Sequence, residues 1–246
     1  MIKNADTLRK LLRYWFRPLR TTPLHPQWLV SLLGKKRGAW ISQRAKGQVL
    51  DVGCADCSIH LLLTCESYIG IDFPTTANNL YGTKPNVFAN ASHLPFVDSC
   101  FDSVLMLDVL EHLAEPELAL HEAFRSLRSG GILLLTIPFA YPLHDQPYDY
   151  QRYTEHGIAQ RLKQAGFCKI IVEEQGLAIQ AATSLLVLTL TQACIEAIAQ
   201  KSWRVFFVPL IVLSLPFINV FGWLISTLYP VHHLMPSAYY VQAQRG

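Results

Sequence analysis

From Gly47 onward, short apolar runs alternate with segments of helical length and mixed polarity. The runs QVLDVG (48–53), YIGID (68–72), NVFAN (86–90), FDSVLMLD (101–108), ILLLTIP (132–138) and CKIIVEE (168–174) read as strands. They are brief, rich in branched residues, and bounded by Gly, Pro, Asn or Asp. SIHLLLTC (58–65) reads as a helix, as does EPELALHEAFRSLRSGG (115–131), which closes on Gly130 and Gly131. Thr154 is placed to cap a third helix, EHGIAQRLKQAG, with Gly166 as its stop. Alternating strand and helix predicts a parallel, doubly wound α/β sheet with ligands at the carboxyl ends of its strands. SAYYVQAQR (237–245) alternates Tyr239, Val241 and Ala243 against Tyr240, Gln242 and Gln244, as a further strand would.

Between Glu174 and that last strand the pattern changes. The 40 residues between Arg204 and Arg245 contain no Lys, Arg, Asp or Glu. Within them VFFVPLIVLSLPFINVFGWLISTLY (205–229) is long enough to cross a bilayer, which takes about 20 apolar residues. The preceding segment (177–200) is less apolar, and the two could turn back on each other at KSWR. Pro209 and Pro216 would kink the second helix, so a kinked pair embedded in one leaflet is preferred over a full hairpin. A helical hairpin buried in a larger core is the alternative. If the last strand joins the sheet, this segment is an insertion that crosses the membrane an even number of times or not at all.

Charge adds a second asymmetry. Residues 1–46 carry 11 of the 21 Lys and Arg and a single acid, Asp6, for a net +10, whereas the rest carries 10 basic and 17 acidic residues, for −7. Around Arg9, Lys10, Arg13 and Arg17 stand Leu8, Leu11, Leu12, Trp15 and Phe16, the composition of a basic amphipathic helix that lies on an anionic leaflet. A helix packed on the body with a solvated basic face is the alternative. Lys35, Lys36 and Arg37 add a second basic cluster that favours the membrane. The six cysteines are scattered and no export signal is evident, so the thiols are expected reduced, at the cytoplasmic face of a bacterial inner membrane. The organisation expected is an N-terminal arm (1–46), a core (47–176), an apolar helical insertion (177–236) and a final strand (237–246).

The chemistry lies at the strand ends. Asp51, Val52 and Gly53 lead from a strand into a loop where glycine lets the backbone approach a ligand. About 20 residues on, Asp72 ends a second strand, a spacing suited to gripping ribose hydroxyls; a turn or helix cap is its other reading. With ANASHLPFVDSCFDSVLMLDVLEHL (89–113) added, the chain resembles the class I S-adenosylmethionine-dependent methyltransferases, in four ordered motifs from about Val49 to Phe167. The resemblance is to the type 11 group, and the family topology it implies is a Rossmann-like, mostly parallel seven-stranded sheet. Its last strand is antiparallel, with additions placed before it.

The resemblance implies S-adenosyl-L-methionine as cofactor. It puts Asp51, Gly53, Cys54 and Ala55 in the methionine-binding loop, Asp72 with Phe73 at the ribose, Asn90 and Ala91 beside the adenine, and Asp108 with the Leu110-Glu111-His112 run next to the transferred methyl. Ala55 and Cys57 stand where the family has glycine, and positive φ there would cost each of them roughly 1 kcal/mol. Cys54, Cys57, His60 and Cys65 also form a C-x2-C-x2-H-x4-C set of zinc-ligand types, but the family loop and following helix account for these positions, and no metal is expected.

YPLHDQPYDYQRYT (141–154) is too polar and aromatic for a linker. It resembles the H-x-x-P-x-D-Y-x-R-Y-T segment of methyltransferases of bacterial surface-glycan and lipid pathways. His144 is the first candidate base for taking a hydroxyl proton, with Asp108 or His112 second. Tyr141, Asp149, Tyr150, Arg152 and Tyr153 are candidate substrate contacts, and a structural lid is the plainer reading of the segment. The expectation is methyl transfer to a small or lipid-linked acceptor at an anionic membrane surface, as O-methylation, with quinone or lipid C-methylation behind it. A non-catalytic membrane protein that keeps the fold with a degenerate cofactor loop is the rival. A nucleic-acid partner, suggested by the basic arm, is set aside because of the apolar insertion.

Overall fold

A computed structural model describes residues 11–12, 14–77 and 82–246. The described residues form two compact units, one within 36–139, 143–175 and 238–246, the other within 1–35, 140–142 and 176–237.

The first unit is built on seven strands: β1 (Gln48–Val52), β2 (Ser67–Asp72), β3 (Val87–Phe88), β4 (Phe101–Leu107), β5 (Leu127–Pro138), β6 (Phe167–Gln175) and β7 (Ala238–Arg245). Their order is β3-β2-β1-β4-β5-β7-β6. Every pairing is parallel except those of β7, which runs antiparallel between β5 and β6. This is the doubly wound sheet with a returning last strand that the sequence predicts. Both faces are covered, so β5 reads as a continuous apolar run. Leu133, Leu135 and Ile137, with Tyr239, Val241 and Ala243 of β7, face a core that also holds Leu120, Ala123, Ile158 and Leu162. Leu134 and Tyr240 face the opposite layer with Trp40, Ile41 and Ala45.

Three helices carry these contacts: α1 (Trp28–Arg44), whose second half belongs to this unit, α2 (Pro116–Ser126) and α3 (Glu155–Gln164). Thr154 caps α3 by accepting the Gly157 amide, and Gly166, at φ +99°, ends it. Residues 36–46, grouped with the N-terminal arm by charge, pack here through Trp40, Ile41 and Ala45. Arg37 and Arg44, instead of presenting a free basic face, bind Asp108 and Glu173.

Two elements differ from the sequence reading. The helix expected over 58–65 is a single 3-10 turn, Ser58–Leu62. It starts from Cys57 in the left-handed region without a side-chain cap, and Leu61 and Leu62 stay exposed, so a longer helix would bury little. The helix expected to reach Gly131 ends at Ser126, because Leu127 pairs with Phe101 and Arg128 binds the Asp102 carboxylate, drawing the chain into β5.

In the second unit, residues 14–16 are helical and run into a 3-10 turn, Arg17–Leu19. Arg9, Lys10 and Arg13 of the expected amphipathic helix lie outside the described residues. The insertion forms α4 (Ala178–Ala199), a 3-10 turn (Trp203–Phe207) and α5 (Val208–Leu228). Gly222 of α5 lies so close to Thr183 of α4 that a Cβ there would sit 2.2 Å from its hydroxyl. Gln180 donates to the Ser226 hydroxyl at 3.0 Å. Small and polar residues thus line the helix pair, as in close-packed membrane helices. Pro209, expected to kink the helix, sits in its first turn, where no amide is required, and Pro216 alone is interior. Phe206, Leu210, Leu213, Phe217 and Phe221 are exposed at 66–92%. Both helices are long and apolar enough to cross a membrane.

Candidate functional site

The strand order reverses at β1, between β2 and β4, and the loops at the carboxyl ends there form the crevice used by ligands in open α/β sheets. The amides of Gly53 and Cys54 both donate to the Ile71 carbonyl, at 2.8 and 3.0 Å, tying the first loop to β2. Gly53 has φ +75°, and a Cβ there would lie 2.4 Å from Val109, so this position requires glycine on two counts. Ala55 and Cys57, at φ 48° and 55°, occupy the left-handed region without being glycine.

Asp72 is nearly buried. One carboxylate oxygen accepts the Ala55 amide at 3.0 Å; the other accepts the Phe73 amide at 2.7 Å and the Thr76 hydroxyl at 3.1 Å. It therefore makes the local turn contacts of its structural alternative while standing at the end of β2. Phe73 beside it is half exposed. Asp51, near the end of β1, is buried; burial pushes its carboxyl up to about 6, against a 2.6 Å hydrogen bond donated by Tyr68. The Cys54 and Cys57 sulfurs lie 3.4 Å apart, and burial raises the Cys54 thiol far above its ordinary range, so it is protonated and inert. His60 stacks on Tyr68 at 4.4 Å. Asn90 turns its carbonyl to the Ser92 amide at 2.9 Å, and Ala91 is buried.

A second set of groups follows β4. Asp108 is in the left-handed region, φ 58°; it accepts the Thr136 hydroxyl at 2.8 Å and binds Arg37. The turn Leu110–His112 comes next, and the aromatic segment after β5 is pinned to it. The Tyr150 amide donates to the Glu111 carbonyl at 2.9 Å, and Gln151 donates to the Leu113 carbonyl at 3.0 Å. His112 Nδ1 lies 3.0 Å from the Tyr148 carbonyl. The His112 and His144 rings meet edge to face at 4.8 Å.

Asp149 organises the rest. Its side chain is 1% exposed, receives the His144 amide at 2.9 Å, and lies 3.2 Å from His144 Nδ1. It also takes a two-pronged bond from Arg152. Burial alone would raise its carboxyl, but the Arg152 bonds, the His144 amide and the neighbouring positive charge hold it at about 2. Tyr150 is half exposed, whereas Tyr153 is buried with its hydroxyl pushed upward by burial and by Glu111. Tyr141 belongs to the other unit, where its hydroxyl accepts from Gln27 at 3.0 Å.

Of the residues singled out from sequence, Asp51, Gly53, Cys54, Ala55, Asp72 and Phe73 gather at one set of strand ends. Asp108, His112, His144, Asp149 and Arg152 gather at the other, and Val109 touches the Gly53 loop between them. Two contributors were missed: Tyr68 and Arg37. Glu111 lay within the quoted Leu-Glu-His run, but sequence offers no signal that its side chain points inward to 0% exposure.

Residues 50–135 match the family described as a methyltransferase domain. An uncharacterised protein of Methanocaldococcus jannaschii is 33% identical over 109 residues, 44% of this chain and 46% of that protein. The ubiquinone/menaquinone biosynthesis C-methyltransferase of Haemophilus ducreyi is 41% identical over 59 residues, 24% of this chain and 22% of that enzyme. The chain thus spans less than half the length of either relative. Among solved structures, a SAM-dependent methyltransferase from Archaeoglobus fulgidus superposes with a TM-score of 0.53 at 16% identity, covering 94% of this chain and 100% of that one. The match over 50–135 takes in the Gly53 loop, Asp72 and the Leu110–His112 turn, and ends before His144 and Asp149.

Proposed function

This chain carries a class I S-adenosylmethionine-dependent methyltransferase domain, and from that premise we propose that it transfers the cofactor's methyl group to an oxygen of a small or lipid-linked acceptor at a membrane surface. The observation that carries this reading is the convergence of the Gly53 loop, Asp72 and Asp108 at the carboxyl ends of β1, β2 and β4. Such a site positions the sulfonium and acceptor in line, and the reaction is favoured as the positive charge on sulfur disappears. In this reading the loop from Asp51 to Ala55 takes the methionine part, Asp72 and Phe73 the ribose, and Asn90 with Ala91 the adenine. Each Asp72 oxygen retains lone-pair capacity for a ribose hydroxyl beside the bonds it already accepts. His144 is the first candidate for the acceptor's proton, with Asp108 and His112 behind it; the aromatic segment 143–154 faces the acceptor.

The membrane part rests on α4 and α5, both long and apolar enough to cross a bilayer, and on the exposed apolar side chains along α5. C-methylation of a quinone is the second reading, favoured by the similarity to the Haemophilus ducreyi enzyme over 59 residues. The test is a tritiated-methyl transfer assay on fractionated membrane lipids and glycans. Base-labile or ether-linked label on a hydroxyl-bearing fraction is expected, and label on a quinone ring carbon would move the reading to the second. No binding of S-adenosylmethionine at millimolar concentration by calorimetry would leave a non-catalytic protein that keeps the fold.

A further inference from the structure

Glu111 is 0% exposed, and neither of its carboxylate oxygens has a hydrogen-bond partner. A buried carboxylate is ordinarily paired, hydrogen-bonded or bound to a metal. Arg152, whose positive charge acts on Glu111, is held in a fork by Asp149. Around Glu111 stand two imidazoles, and donor atoms of Glu111, His112 and His144 all lie within 4.8 Å of one another. Among the described residues this is the one such cluster of three His, Cys, Asp or Glu donors.

We propose that Glu111, His112 and His144 form a binding site for a divalent transition-metal ion. Two imidazoles and one carboxylate are the donor set of open, catalytic metal sites, and nitrogen donors select a first-row transition ion over magnesium or calcium. The ring orientation supports this. His112 Nδ1 faces the Tyr148 carbonyl at 3.0 Å, so that nitrogen is the donor, and Nε2, 3.8 Å from Glu111 Oε1, is the nitrogen turned toward the carboxylate. His144 Nδ1 faces Asp149 at 3.2 Å, the carboxylate–histidine pairing that fixes the orientation of a metal-binding ring. Arg152 in turn fixes Asp149. Ligand distances near 2.1 Å place donor atoms roughly 3.4 Å apart, so the three groups draw together by about 1 Å on loading. The site replaces the earlier expectation of no metal, and it uses none of the cysteines.

The ion's role rests on the methyl-transfer reading above. Three protein ligands leave open positions, and an acceptor hydroxyl bound there becomes more acidic and releases its proton to solvent. The resulting oxyanion attacks the methyl carbon; the new C–O bond forms as the C–S⁺ bond breaks, and the sulfur leaves as a neutral thioether. His144 then acts as a ligand and not as the base.

The test uses the full chain, stripped with chelator and titrated with Co²⁺, whose visible spectrum reports its ligands. One saturable equivalent per chain with nitrogen and oxygen ligation is expected. Glu111→Gln, an isosteric change, and His144→Ala should each weaken binding by at least roughly tenfold, and Asp149→Asn by about 10- to 100-fold through the ring it orients. Circular dichroism and titration with S-adenosylhomocysteine establish that each variant is folded. Folded protein with no saturable Co²⁺ binding, binding unchanged in Glu111→Gln, or the intense charge-transfer bands of thiolate ligation at Cys54 and Cys57 would each overturn the site. Co²⁺ binding that follows these residues in a protein deaf to S-adenosylhomocysteine leaves the metal site standing and removes the methyl-transfer reading.

Discussion

The Ala55 amide donates to the Asp72 carboxylate at 3.0 Å, so the acid at the end of β2 braces the loop residue that stands in place of a family glycine. The same carboxylate also holds Phe73 and Thr76, joining two segments of the proposed cofactor cradle through one side chain.

Replacing Ala55 by glycine should therefore change little. Relief of the left-handed conformation (φ 48°) is worth roughly 1 kcal/mol. Glycine gives back about 0.5–1 kcal/mol of that through the freer unfolded chain. Denaturant unfolding of Ala55→Gly should differ from wild type by less than about 0.5 kcal/mol, with S-adenosylhomocysteine affinity preserved. A large gain in affinity would mean that the alanine does spoil the loop.

Asp72→Ala should do much more. It strands the Ala55 and Phe73 amides of a nearly buried loop, at about 1–3 kcal/mol for an unsatisfied group of this kind. Cofactor binding by calorimetry should fall together with stability by chemical denaturation. Unchanged affinity in a folded variant would remove Asp72 from the cofactor site.

Two carboxylates should give opposite pH signatures. The carboxyl of Asp51, raised to about 6, makes the folded state hold a proton that the unfolded state has lost between pH 4 and 6. Stability therefore falls as pH rises through that window and stays lower above it, by up to roughly 3 kcal/mol. Asp51→Asn should be the more stable protein at pH 7, and the difference should vanish near pH 4. For Asp149, held at about 2, the sign reverses. Its contribution, roughly 2 kcal/mol, is present above pH 4 and lost as pH falls towards 2. Asp149→Asn should accordingly be less stable at neutral pH and less acid-sensitive between pH 4 and 2. Urea unfolding at half-unit pH intervals reads both.

Sheet and site were legible to different degrees, and for physical reasons. Strands such as 132–138 and 239–243 announce themselves because burial on one or two faces dictates their apolar pattern. Gly53 and Asp72 were legible because backbone approach and strand-end position leave few residue choices. Glu111 was not, since a carboxylate in a Leu-Glu-His turn reads the same whether it faces solvent or core. Arg37 was misread for a related reason: a run of basic residues signals charge, and only the folded chain reveals that this one serves Asp108. The turn at 58–62 was read as a helix because its leucines suggest an apolar face that the fold leaves in solvent.

The helix pair yields the last prediction. Phe206, Leu213 and Phe217, exposed at 92%, 69% and 76%, make no core that an aspartate would disrupt. A charge at the centre of a membrane-embedded helix costs about 2.5–3.5 kcal/mol, and one at its edge less. Leu213→Asp combined with Phe217→Asp should therefore release the protein from anionic vesicles in flotation, while the unfolding transition of the sheet stays where it was. If the double variant instead loses its sheet and becomes insoluble, these side chains are covered by protein, and the helices pack in a core instead of entering lipid. If the variant floats unchanged, attachment is held by the basic residues of the N-terminal segment, and raising the salt concentration should then detach it, because exposed charge attraction is screened within about 10 Å at 0.1 M.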